Sequence, residues 1–121
     1  VANYINKNIE NADLVINAST GSSMINYLLK TNKISKFCQS SYYVFPNAIT
    51  KHLKDFEKEL SEAKYLIIQN NDKYLYINGS QLSTYDNLMQ NQVLKSRIDS
   101  LFTVDTTIGN FVVFKRLQSS N

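Results

Sequence analysis

The sequence predicts an α/β fold: a three-layer, Rossmann-like domain around a mixed sheet of about five strands, mostly parallel, with a C-terminal antiparallel hairpin. Three observations carry this expectation. Leu14 to Ala18 and Tyr65 to Ile68 are short apolar runs bounded by polar residues, the pattern of buried strands. Between them Ile49, Leu53, Phe56 and Leu60 recur at helical spacing, and parallel strands need such a crossover. Phe102 to Ile108 and Phe111 to Lys115 are β-rich and joined through Gly109-Asn110, which reads as a hairpin.

Composition bounds the rest. The 121 residues are 43% hydrophobic and 19% charged, which suits one packed core. Residues 1–121 therefore read as a single α/β domain. No window approaches the roughly 20 apolar residues of a membrane-spanning helix, and the layout of a secretory leader is missing. The chain opens Val1-Ala-Asn-Tyr-Ile, without an initiator Met and already in helical pattern, so a piece excised from a longer protein is expected. A net charge of +3, spread along the chain, lacks the concentrated basic face of a nucleic-acid binder, and no nucleic-acid partner is expected. The single cysteine, Cys38, leaves no intrachain disulfide or multi-cysteine zinc site and reads as a buried structural thiol.

In chain order, Val1, Ile5 and Ile9 at i, i+4, i+8 predict an amphipathic helix over residues 1–10. The strand Leu14 to Ala18 follows. A Ser/Thr/Gly cluster then opens a second helix, capped by Ser22 or Ser23, with Met24, Ile25, Leu28 and Leu29 as its stripe. A short strand is expected at Ser35 to Gln39. Asn47 is placed to cap the third helix, whose Lys51, Lys54, Asp55, Lys58, Glu59 and Glu62 form a solvated face. After the second buried strand, Gln69-Asn-Asn-Asp72 turns the chain, and Tyr74 to Ile77 alternates ahead of Asn78-Gly79, a hairpin signal. Leu94, Ile98 and Leu101 predict one last helix over about residues 86–100 before the terminal hairpin.

Candidate sites are few. Ser19, Thr20, Gly21, Ser22 and Ser23 form a turn that leaves a strand and opens a helix, where backbone N–H groups can meet a phosphate or a sugar hydroxyl. The same residues can also do no more than cap the helix. Tyr42, Tyr43 and Phe45, downstream of Lys30, Lys33 and Lys36, can rest on lipid headgroups or cover the sheet. His52 has Asp55 and Glu59 at i+3 and i+7, an unspecific spacing, so no metal site and no cofactor is assigned. Asp13, Asp72, Asp86, Asp99 and Asp105 stand at element edges, where turn and cap duty is normal. No catalytic residue is assigned: a hydrolase elbow would need a Gly-x-Ser-x-Gly frame, which the sequence lacks. Asn17-Ala-Ser19 and Asn78-Gly-Ser80 have the form of glycosylation sequons, but Asn17 falls in the core strand.

One resemblance spans nearly the whole chain. Tyr4-Ile5 with Asn8 precedes Asp13-Leu-Val-Ile16, Tyr27-Leu28 follows, Lys64-Tyr65 opens a strand, and Ile108-Gly-Asn-Phe111 turns the last hairpin. In this order the segments resemble the soluble C-terminal domain of integral-membrane, lipid-linked-sugar-dependent glycosyltransferases, the protein-mannosyltransferase and aminoarabinose-transferase superfamily. The resemblance implies a multi-pass parent that transfers sugar from a lipid-phosphate donor, with this domain on the extracytoplasmic face, periplasmic or cell-surface. It also implies that the catalytic acidic residues belong to loops among the membrane spans. The domain would then be noncatalytic, assisting acceptor binding or stability. Its implied partners are the transmembrane part of the parent, lipid headgroups and a lipid-linked sugar or glycan acceptor. Gln39 to Pro46 has no counterpart in that pattern. The alternative reading is a free-standing Rossmann-like ligand-binding or interaction module that uses the Ser19 to Ser23 turn.

Overall fold

A computed structural model describes residues 1–19, 24–31, 33, 35–37, 51–72 and 82–117. Its elements are α1 (Ala2–Asn6), β1 (Val15–Ala18), α2 (Met24–Leu28), α3 (Leu53–Glu62), β2 (Tyr65–Gln69), α4 (Thr84–Gln90), α5 (Gln92–Leu101), β3 (Phe102–Ile108) and β4 (Phe111–Arg116). The four strands form one mixed sheet in the order β1-β2-β4-β3. β1 and β2 are parallel, with Val15 opposite Tyr65 and Ala18 opposite Ile68. Every residue of both strands is buried, so their near-continuous apolar runs are those of strands covered on both faces.

Period-two alternation divides the core between the faces. Ile16, Ala18, Leu66, Ile68 and Phe114 pack with Phe56, Leu60, Leu88, Leu94 and Ile98 of α3, α4 and α5. On the other face Val15, Tyr65, Ile67 and Val113 meet Ile5 and Ile9 from the N-terminal segment and Ile25 of α2. A fully buried Leu, Ile or Phe contributes about 1.5–3 kcal/mol over an exposed one, so these two clusters are the main favourable contribution to folding.

The sheet corrects the expected architecture. It has four strands among the described residues and not about five. Two of its three pairings are antiparallel, so it is neither mostly parallel nor Rossmann-like. The terminal hairpin docks through its last strand: β4 sits between β2 and β3, which leaves β1 and β3 as the edges of the described sheet. The apolar run Phe111-Val-Val-Phe114 explains the choice. Val113 and Phe114 are buried, whereas Thr103, Val104, Asp105 and Thr107 of β3 face outward.

Of the strand expected at Ser35 to Gln39, the described part, Ser35 to Phe37, is a turn instead. Ser35 Oγ accepts from Phe37 N at 2.9 Å, a side-chain turn that competes with extended pairing. Glu59 of α3 then holds the segment, accepting from Ser35 Oγ at 2.6 Å and from Lys36 N at 2.8 Å. Phe37 becomes a fully buried plug, edge-on to Phe56 at 5.1 Å. Cys38 and Gln39, the Asn47 cap, Ile49, the Ser22 and Ser23 caps and the Tyr74 to Gly79 hairpin lie outside the described residues.

Two helices are also shorter than expected. α1 ends at Asn6, and the chain then turns, with Glu10 N bonded to Asp13 Oδ2 at 2.7 Å, while Ile9 stays buried. The expected helix over 86–100 is two helices that break at Asn91, whose ψ of 111° is extended. Asn91 Oδ1 accepts from Val93 N at 3.1 Å and Leu94 N at 3.2 Å, an N-cap in what reads as an uninterrupted stripe.

The terminal hairpin forms as expected. Gly109 turns it with φ of +57°, a left-handed conformation that suits glycine. The register shifts between Val104 and Thr106, leaving Asp105 as a β-bulge residue.

Candidate functional site

In open α/β sheets, ligands bind beyond the carboxyl ends of the parallel strands. Ala18 pairs with Ile68, so Ser19 leaves β1 level with Gln69, the last residue of β2, and both are buried. The chain continues from β2 as Asn70-Asn71-Asp72. Gln69 Nε2 donates to Asn71 Oδ1 at 2.9 Å, and Ser83 Oγ donates to Asn70 Oδ1 at 2.9 Å. Ser83 also caps α4 by accepting from Asp86 N at 3.1 Å, which ties the start of that helix to the end of β2.

Asp72, at the end of this rim, is fully buried. Its Oδ1 accepts from Thr84 N at 2.8 Å and its Oδ2 from Thr84 Oγ1 at 2.5 Å, so both oxygens are engaged by the first turn of α4. This is the turn and cap duty expected of an aspartate at an element edge, and it makes Asp72 a positioning residue. Asn70 and Asn71 remain exposed. The rim therefore offers neutral amides and hydroxyls, groups that hydrogen-bond a hydroxyl-rich or phosphorylated ligand without doing acid–base chemistry on it.

Of the binding turn expected from the sequence, Ser19 stands at this edge; Thr20, Gly21, Ser22 and Ser23 lie outside the described residues. Tyr42, Tyr43 and Phe45, the expected headgroup contacts, lie outside them as well. Sequence reasoning missed the β2 contribution. Its signal was the abrupt change from Tyr65-Leu-Ile-Ile68 to Gln69-Asn-Asn-Asp72, which read only as a turn.

A second polar group lies on the α1 side of the sheet. The bulge brings Asp105 to Tyr4, whose hydroxyl donates to Asp105 Oδ2 at 2.7 Å. That hydrogen bond, with a smaller contribution from burial, raises the Tyr4 pKa above its ordinary value. The Tyr65 hydroxyl is buried and, among the described residues, has no hydrogen-bond partner of normal geometry, although the Asn8 side chain lies near it. Burial pushes its pKa up, and the Asp105 charge adds to the effect.

Elsewhere, Asn17, Asn26, Thr31, Lys33 and Ser35 help line a crevice of about 40 Å³ beside β1. That is far below the roughly 300 Å³ at which ligand pockets begin. An open groove between α3 and α5, lined by Glu57, Val93 and Arg97 among others, is wider but shallow. Asn17 is buried within β1, which keeps its sequon from the surface. His52 precedes α3 and meets Phe37 edge-on at 6.4 Å. The carboxylates considered with it are engaged elsewhere: Asp55 pairs with Lys36 at 2.7 Å, and Glu59 holds Ser35. Among the described residues, no group of three or more His, Cys, Asp or Glu side chains is arranged to hold a metal.

Among the described residues, no helix is long and apolar enough to cross a membrane. Comparisons with protein families, curated proteins and solved structures gave no match for this chain.

Proposed function

We propose that this chain is a noncatalytic, extracytoplasmic domain of a multi-pass membrane glycosyltransferase that uses a lipid-phosphate sugar donor. In this reading the rim beyond β1 and β2 helps hold a hydroxyl-rich acceptor. One observation carries the proposal. The segments behind the resemblance fall at positions that set the fold: Lys64-Tyr65 opens the strand shared by the parallel and antiparallel pairings, and Ile108 to Phe111 turns the hairpin that supplies β4. The rim adds chemical sense, because amides and hydroxyls with a pre-engaged carboxylate suit binding and positioning.

The test uses the complete reading frame, expressed with and without residues 1–121. Membrane fractions are assayed for transfer of labelled sugar from a polyprenyl-phosphate donor. The reading expects both proteins in the membrane fraction, with transfer lost or reduced in the shortened one. A full-length product that stays out of the membrane fraction would overturn it.

The rim also supports a second reading, a free-standing ligand-binding module, on the observation that Ser19 and Gln69 lie level at the ends of β1 and β2. Titration of the chain with oligosaccharide or inorganic phosphate, followed by amide NMR, separates the two. Shifts confined to Ser19 and Asn70–Asn71 in a product that stays out of the membrane favour this second reading.

A further inference from the structure

The corner where α1 and α2 end carries an exposed apolar pair with cations beside it. Tyr27 is 84% exposed and Leu28 59%, and they are consecutive on α2. Ile25 of the same helix is buried, so α2 commits one side to the core and presents Tyr27 and Leu28 outward. Asn6 fixes the corner: its Nδ2 donates to Leu28 O at 2.8 Å and its Oδ1 accepts from Lys30 N at 2.7 Å. Lys7 follows Asn6 in the chain, and Lys30 follows the apolar pair by two residues. Both lysines are exposed, and neither joins the ion pairs found among the described residues.

A lone exposed Leu needs no explanation, but an exposed Tyr-Leu pair with two unneutralised lysines matches the chemistry of a bilayer surface. There a Tyr ring sits at headgroup depth, a Leu enters the acyl boundary, and ammonium groups meet phosphates. We propose that this corner, Lys7, Tyr27, Leu28 and Lys30, rests on an anionic phospholipid surface. Charge complementarity and the small apolar area favour a bilayer over a protein: two side chains fall far short of a stable protein interface of about 1,200 Å² or more. The association is weak and reversible, since even a single acyl chain binds only marginally. It does not rest on the glycosyltransferase reading, because the chain is tested by itself.

The test is co-sedimentation of the chain with vesicles of phosphatidylcholine, alone or mixed with phosphatidylglycerol. Binding is expected only with the anionic mixture, and it weakens as salt screens the charges. Lys7→Gln and Lys30→Gln each weaken it roughly fivefold, the effect of one surface lysine. Tyr27→Ser with Leu28→Ser weakens it about tenfold or more, from lost apolar burial. All four positions are exposed, and far-UV circular dichroism checks the fold; if the double variant does not fold, the lysine variants decide. No binding at low salt, equal binding to both vesicle types, or binding indifferent to the lysine variants overturns the proposal. Such a failure leaves the sugar-transfer assay, and the reading it tests, untouched.

Discussion

At the scale of single residues, Arg116 joins segments 53 and 56 residues apart in the chain. Its Nε donates to Ala63 O at 2.6 Å and its guanidinium reaches Leu60 O, so it satisfies carbonyls at the end of α3. The same group lies 5.1 Å from the centre of the Phe102 ring. Arg116→Ala should lower stability by about 2 kcal/mol, the scale of hydrogen bonds to a charged group, and Arg116→Lys should restore only part of it. Urea denaturation measures both. Tyr65 poses the reverse case, since its buried hydroxyl lacks a partner of normal geometry among the described residues. Tyr65→Phe should therefore raise stability by about 1 kcal/mol. The pH dependence has a definite sign. Burial holds the folded pKa above the ordinary tyrosine value of 10.0, so the unfolded chain loses its proton first; the tyrosine's contribution is intact below pH 10.0 and lost as pH climbs through the folded value. The Phe variant should lose the Tyr65 part of that alkaline decline, while Tyr4 keeps its own. None of this was legible in the sequence, because a hydroxyl's partner and an arginine's reach depend on segments far apart in the chain.

At the scale of elements, the strands were legible wherever burial on both faces wrote a continuous apolar run, as in β1, β2 and β4. The hairpin was legible because Gly109-Asn110 supplies its turn chemistry. Ser35 to Phe37 was misread because the deciding interaction, the grip of Glu59, comes from α3, 23 and 24 residues away from the groups it holds. The break between α4 and α5 was visible in principle: Asn91 is a strong capping residue, but the apolar stripe runs on through it. Asn91→Ala should cost about 1 kcal/mol and fray the start of α5, a change that thermal unfolding and amide exchange at Val93 and Leu94 will register.

At the scale of the whole molecule, a parallel pair anchors an otherwise antiparallel sheet and sets the edge where the candidate rim lies. Helix-period and strand-period patterns gave the α/β class, but not which strand β4 would join. That choice depends on competition between two edges of β2, which periodicity does not encode. The candidate rim was half legible for the same reason, with Ser19 visible at the end of a strand and Asn70 to Asp72 assigned only to turning the chain.

The most direct test of this arrangement is the set of interstrand NMR contacts between residues 15–18 and 65–68. Contacts should advance in the same direction along both strands, with Val15 near Tyr65 and Ala18 near Ile68, and these amides should exchange among the slowest in the protein. Contacts that run in opposite directions, with Val15 near Ile68, would contradict the shared edge and the site built on it.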